Sequence, residues 1–542
     1  MHLPIYRRVT SNLDKRTGQS VAIGLGDDMD ITYNVLISVG STQTALVLDT
    51  GSSDLWLVSD ACTGQCNDAG VPLYSQETLH PTGLDVRLLY GDSRTGTHAT
   101  GPVGSDTVSI ASLSIVNQSL AAINDTNTTV FETGSAGILG LGFPPISMIW
   151  RELLQAQLAP ASSQLTRRSS NTSNPILTSS IGAPPFPSFD FLKPGSSSRR
   201  KRQSDAAAVQ FSSAAIASFA TYGPLLPRLI VQDMLSSPLI AITLQRDTFD
   251  IGGNVGLLSV GALPLGIQDD HLTWVPVRAY TAAQGGLPPP SDAPDEVYPL
   301  TWEIPVDEVY FNDAKLPRSM LSPSSISLSA LLDTGNSLIR GPKDVVKHIM
   351  SQFDEPDYSF DCSVAHNLSF VIGGVTFSVD PRDFAVPMSA NSTGNPRCTP
   401  AVVATDPPGN GGFLYSWSLG DPFLKSALVA YYYGNLTHPS QDPPRVGLLS
   451  TVPGDASMEL QRVVQAAGIS GGQLPATWDV APSGTFAATA TDANGVPQAT
   501  HSNVIVLTAN GAMALGLHTS IMVCLVMSGS LLTLVIVRYL RI

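Results

Sequence analysis

Charge is scarce in this chain: 13% of its 542 residues are Asp, Glu, Lys or Arg, and 29 basic residues face 44 acidic ones. The formal net charge of −15 argues against nucleic acid as a partner. It also keeps the chain negative until the medium is quite acid, which points toward an acidic compartment. Cysteine is rare too. Of five, Cys62 and Cys66 stand four apart, Cys362 and Cys398 flank a strand-like stretch, and Cys524 lies in an apolar run beyond reach of either pair. No His stands near Cys62 or Cys66, so the pattern of a Cys/His metal cluster is missing and no metal or other cofactor is expected. Two disulfides, Cys62–Cys66 and Cys362–Cys398, suit an oxidising compartment, with free thiols as the alternative. The start lacks a charged segment followed by an apolar one, so no signal peptide is visible and the expectation is an incomplete or trimmed precursor. Arg7-Arg8 and Lys15-Arg16 are dibasic pairs of the kind that processing proteases cut, and residues 1–20 read as a remnant of a propeptide or as an ordinary basic segment.

Gly (46) and Pro (41) are plentiful instead, the composition of a turn-rich β protein rather than a helical bundle. The length exceeds what one core sustains and predicts two large units plus extras. "YNVLISVG" (33–40), "DVRLLYGDSRTGTHATG" (85–101) and "LSFVIGGVTFSVD" (368–380) alternate or bunch β-branched and aromatic residues between Gly and Asp turns. Only short helices are expected, at 148–158 and 342–353.

"TALVLDTGSSDLWLVSDACTGQC" (44–66) sets a carboxylate, Asp49, at the tip of an apolar run. Alone, Asp-Thr-Gly is a turn, and about one chain in ten of this length would hold the tripeptide by chance. A second copy changes that. "SALLDTGNSLIRG" (329–341) repeats the apolar approach, Asp333-Thr334-Gly335, and a small polar residue followed by Ser, 284 positions on. The pair reads as an internal duplication at the scale of a lobe.

Asn117, Asn124, Asn127, Asn171, Asn367, Asn391 and Asn435 each open an Asn-x-Ser/Thr glycosylation triplet, which with the disulfides points to the secretory pathway. Residues 513–537 are nearly all apolar, long enough to span a bilayer, and Arg538 and Arg541 follow, which places the 538–542 tail in the cytosol. A removable GPI signal is the rival, since Asn510-Gly511-Ala512 precede the apolar tail. Residues 453–510 are rich in Ala, Thr, Ser and Gly and read as a stalk. A similar stretch at 159–208 reads as a disordered surface insertion, and its Arg199-Arg200-Lys201-Arg202 is either a cleavage site or a solvated basic loop.

The chain resembles the pepsin-like aspartic proteases over roughly residues 33–451, outside that insertion and the Pro-rich 285–296. "ALVLDTGSSDLWL" and "ALLDTGNSL" resemble the two active-site motifs, and "LLYGDSRTGT" the flap with its tyrosine, Tyr90. "AGILGLGFP" (136–144) resembles the glycine motif crossing behind the first aspartate loop, and 419–450 the closing segment of the second lobe. Stalk and anchor make fungal, membrane-attached yapsin-like enzymes the most similar subgroup. The resemblance implies an all-β bilobal fold with the active site in the cleft between duplicated lobes, 21–240 and 241–452, plus the stalk and transmembrane segment.

It also implies Asp49 and Asp333 as catalytic residues sharing one proton, with water as nucleophile and no acyl-enzyme. Thr50 and Thr334 would hydrogen-bond across the lobes, Gly51 and Gly335 would let the backbone turn tightly, and Ser52 would hydrogen-bond Asp49. Asn336 stands where the family has Thr or Ser; its amide can donate the same bond to Asp333. Tyr90 would close over substrate with Gly91 and Asp92 beside it, Trp56 donating to Tyr90; Asp92 would favour basic substrate side chains. The expected partners are protein or peptide substrates, pepstatin-like inhibitors and, through the anchor, a membrane, for a monomer at the cell surface or in a vacuole. An inactive relative serving as a surface binding or adhesion module is the alternative, while two motifs in one chain rule out a retroviral-type dimer of single-motif subunits.

Overall fold

Alternating apolar residues over Thr32–Val39 and Thr42–Asp49 bury most of both strands, and the two close as an antiparallel hairpin at Gly40, whose φ of 55° suits a residue without a Cβ. The structure, a computed structural model, describes residues 18–28, 31–63, 66, 70–91, 96–159, 186–192, 211–246, 256–354, 356–388, 396–409, 411–469, 474 and 478–479. That hairpin forms part of a ten-stranded sheet that also holds Gly137–Gly140, Leu55–Val58, Leu113–Ile123, Thr97–Ile110 and His80–Tyr90. A five-stranded sheet runs Glu303–Pro305, Ser329–Leu332, Trp417–Leu419, Ile339–Pro342, Val402–Thr405.

The same arrangement recurs in both. Gly137–Gly140 lies parallel to the strand ending at Asp49, with Gly140 level with Asp49, and antiparallel to Leu55–Val58. Trp417–Leu419 lies parallel to Ser329–Leu332, with Leu419 level with Leu332, and antiparallel to Ile339–Pro342. The glycine motif and the closing segment therefore each back an Asp-Thr-Gly loop, as the resemblance implies. A six-stranded sheet draws on both halves of the chain: Val21–Gly24, Leu257–Val260, Leu239–Thr243, Ala427–Tyr432, Arg445–Ser450 and Thr273–Pro276. One apolar core includes Leu46 and Leu48, Leu332 and Trp417, and Ile240 and Tyr431, one pair from each of the three sheets. Within it Trp302 Nε1 and the Tyr433 hydroxyl both donate to the Leu141 carbonyl, at 3.0 and 2.5 Å, and the Phe143 ring packs 4.3 Å from Trp302.

Both expected helices form, as Met148–Leu158 and Lys343–Met350. The first is capped by Ser147, whose hydroxyl accepts from Trp150 N at 3.0 Å. Both disulfides form, Cys62–Cys66 and Cys362–Cys398. Asn117, Asn124, Asn127 and Asn367 are exposed and Asn435 is half-buried, while Asn171 and Asn391 lie outside the described residues. So do residues 1–17, Asp92, Arg199 to Arg202, and 513–542; among the described residues no single helix is long and apolar enough to cross a membrane.

Two stretches read from composition alone hold folded structure. Residues 186–192, inside the 159–208 insertion, pack onto the body. Ala456–Ile469, at the start of the stalk-like 453–510, is a helix burying Ala456, Leu460, Val464 and Ala467 and lying against Pro381–Phe384. These spacings of four, four and three put one apolar stripe on a helix, a pattern that averaging over 58 residues hides. Leu460→Ala is expected to destabilise the fold by about 2–5 kcal/mol and Met458→Ala, at an exposed position, by less than about 0.5 kcal/mol, measured by denaturant unfolding.

Candidate active site

Apolar strands end at Asp49 and Asp333 because each must be buried against its parallel neighbour before the chain can turn. Asp333 N donates to the Leu419 carbonyl at 3.1 Å, and Leu141 N to the Asp49 carbonyl at 2.7 Å, which fixes where each loop leaves its sheet. Beyond the strands the two loops interlock. Thr50 N donates to Thr334 Oγ1 and Thr334 N to Thr50 Oγ1, both at 3.0 Å. Each hydroxyl donates onward, Thr50 Oγ1 to the Leu332 carbonyl at 2.9 Å and Thr334 Oγ1 to the Leu48 carbonyl at 2.6 Å. These four bonds pair the amide and the hydroxyl of both buried threonines.

The carboxyls meet between the loops. Gly51 N donates to Asp49 Oδ1 at 2.8 Å and Gly335 N to Asp333 Oδ1 at 3.0 Å. The second loop does turn tightly at its glycine, Asn336 N donating to the Asp333 carbonyl at 3.2 Å, yet neither Gly51 nor Gly335 takes a positive φ. Space is what demands glycine here: a Cβ on Gly51 would stand 2.4 Å from Asp333 Oδ1, and one on Gly335 2.5 Å from Asp49 Oδ1. Each loop leaves room for the opposite carboxyl.

The two carboxyls differ in their surroundings. Asp49 is 5% exposed and accepts from the Ser52 hydroxyl as well as the Gly51 amide. Burial pushes its pKa up, and the Ser52 hydroxyl, the Gly51 amide and a hydrogen bond with Asp333 pull it back. Asp333 is pushed up to about 7, by burial first and the Asp49 charge second, opposed by the Gly335 amide and the Arg340 charge. Asn336 does not supply the bond to Asp333 that its position suggests. Its Nδ2 donates to Ser418 Oγ at 3.0 Å, and its Oδ1 accepts from Arg340 Nε at 3.0 Å and Leu338 N at 3.3 Å, so the amide faces away from the dyad. Asp49 thus has a hydroxyl and an amide donor, where Asp333 has the Gly335 amide.

Above Asp49, Trp56 Nε1 donates to the Tyr90 hydroxyl at 2.7 Å, as expected. The Tyr90 hydroxyl also reaches Ser52, so a polar chain runs Trp56, Tyr90, Ser52, Asp49. Burial and the Asp54 and Asp49 charges hold Tyr90 well above an ordinary phenol, so it stays neutral. Gly91 follows with φ of 89°, turning the hairpin tip.

A family model described as eukaryotic aspartyl protease matches residues 32–159 and 208–438, breaking off where the 159–208 insertion lies. The chain belongs to that family. This aspartic endopeptidase is 23% identical over 439 residues to cathepsin E of Mus musculus, a match covering 78% of the chain and 81% of the relative. It is 24% identical over 470 residues to cathepsin E of Cavia porcellus, covering 83% and 89%, and 23% identical over 457 residues to an aspartic protease of Phaffia rhodozyma, covering 81% and 80%.

Three neighbours of the protease site received no role from the sequence, although Asp54 and Arg340 lie inside the two Asp-Thr-Gly stretches. Arg340 is a lone charge in the strand Ile339–Pro342, and a charge in such a strand is a visible signal, as is Asp54 before Leu55–Val58. Ser418 engages Asn336 from 82 residues away. Buried Asp54 caps the helix Met148–Leu158, accepting from Ser147 Oγ at 2.6 Å, Met148 N at 2.9 Å and Ile149 N at 3.1 Å. Thr334→Val leaves the Leu48 carbonyl and the Thr50 amide unpaired in the interior and is expected to cost about 1–3 kcal/mol in chemical denaturation, whereas Thr334→Ser costs less than about 1 kcal/mol.

Proposed function

We propose that the protein hydrolyses peptide bonds of proteins at acid pH through a water activated between Asp49 and Asp333, in a cleft between two β lobes that takes an extended peptide. The observation carrying this reading is the pair of facing carboxyls, each seated in the other loop's glycine and joined by the crossed threonine bonds. Ionised Asp49 takes a proton from the water, whose oxygen attacks the scissile carbonyl carbon while Asp333 gives its proton to the carbonyl oxygen. The gem-diol then collapses: the leaving nitrogen receives the proton held by Asp49, a hydroxyl proton returns to Asp333, and acid and amine depart. Burial makes two adjacent negative charges costly, which keeps the single shared proton in place. Tyr90, fixed by Trp56, covers the peptide and excludes bulk water.

The apolar run 513–537 with its basic tail supports a single-pass anchor holding the catalytic lobes of a monomer outside the cytosol, at the cell surface or in a vacuole, with a GPI anchor as the rival. The exposed glycosylation triplets and two disulfides agree with that side of the membrane.

Peptide-library cleavage between pH 3 and 8 tests the chemistry: activity is expected to fall as pH rises through about 7, where Asp333 loses the shared proton, to be blocked by pepstatin, and to drop at least about 1,000-fold in Asp333→Asn. Substantial cleavage by Asp49→Asn would sink the mechanism. The same titration acts on stability. A carboxyl whose folded pKa is raised binds its proton more tightly folded than unfolded, so its contribution is full below about pH 4 and lost as pH rises through about 7. Asp333→Asn is therefore expected to melt a few degrees above the wild type at pH 7.5 and close to it at pH 4, read by calorimetry.

A further inference from the structure

The insertion interrupts the family match, yet its middle is seated on the body. Phe189 and Leu192 are 6% and 1% exposed and join a cluster with Trp150 and Leu154 of the helix Met148–Leu158 and with Leu300 and Leu414 from the second half of the chain. Those two residues anchor the segment. Phe186 does something else. It stays partly exposed, with its ring edge-on to Phe413 at 5.1 Å between centroids and 6.0 Å from Tyr280. Gly285 makes room for it, since a Cβ there would meet Phe186 Cε1 at 2.5 Å. Phe413 stacks on Tyr415 at 5.5 Å, and both are also partly exposed. The row leads toward the dyad. Tyr415 stands just ahead of the strand Trp417–Leu419, whose last carbonyl receives Asp333 N, and its hydroxyl lies within the field of the Asp333 charge.

We propose that Phe186, delivered by the insertion, forms with Phe413 and Tyr415 an apolar subsite on the Asp333 side of the cleft that takes an aromatic or long aliphatic side chain of the bound peptide. This rests on the reading that the cleft binds extended peptides. Three partly exposed aromatic rings, with the insertion pinned by buried Phe189 and Leu192 just beyond Phe186, present a preformed apolar wall that loses little freedom on binding. Phe186 is a specificity-determining residue, separate from the reacting groups.

The test uses the full chain and a peptide panel in which one position at a time carries Phe, Leu, Ala or Asp. Phe186→Ala is expected to lower kcat/KM about tenfold, through KM, for peptides with Phe or Leu at one particular position, leaving Ala-bearing peptides within about twofold. Phe186→Leu, which keeps an apolar wall if the alanine variant fails to fold, is expected to retain most of the preference for Leu there and lose it for Phe. An unchanged profile, or a uniform drop at every position, overturns the subsite. Peptide binding by fluorescence anisotropy, on wild type and variants, separates the two readings. Wild type that binds but never cleaves overturns proteolysis while a Phe186-dependent preference in binding still supports the subsite; binding indifferent to Phe186 overturns it.

Discussion

Four hydrogen bonds between two threonines and the loop facing each hold this molecule's chemistry in place. Thr50 and Thr334 exchange amide-to-hydroxyl bonds and then reach past one another to the strands that carry the aspartates. A carboxyl pair left to itself would drift apart or draw in water, because like charges gain by separation and solvation. The crossed bonds remove that freedom, and the glycines beside them leave nowhere for the carboxyls to sit except against each other. Raised carboxyl pKa values and a neutral tyrosine overhead follow from this burial.

The two halves share a backbone plan but differ in the groups that tune it. On the Asp49 side a hydroxyl donates to the carboxylate and is itself touched by Tyr90. On the Asp333 side the equivalent residue is an amide turned toward Ser418 and Arg340. The ionised form is therefore better served at Asp49 and the protonated form at Asp333. Symmetric loops with asymmetric donors thus set two facing carboxyls in unequal surroundings.

Much of this could be read from the chain. Two apolar approaches to Asp-Thr-Gly, a Tyr in a glycine-rich hairpin and a Trp shortly after the first motif are local features, and local patterns survive in one dimension. The rest depended on distant partners. An Asn can point its amide either way, and the choice lay with Ser418, 82 residues on. The Asp-Thr-Gly pattern speaks of a turn, while the close approach of Asp333 to Gly51 depends on a distant partner that no local pattern carries. The insertion and the stretch after Pro453 were read by average polarity, which cannot see that a few residues such as Phe189, Leu192 and Leu460 find a groove or recur at helical spacing.

The six-stranded sheet sets the order of events when the chain is made. Val21–Gly24 is synthesised first but pairs with Leu257–Val260, and the sheet is complete only after Arg445–Ser450. At roughly 5–20 residues per second, the early strand and the Thr50 loop wait about 10 s to a minute for partners that do not yet exist. During that interval the first half exposes an unpaired edge and an unfilled core face, so its safe arrival depends on what shields it while the second half is being made.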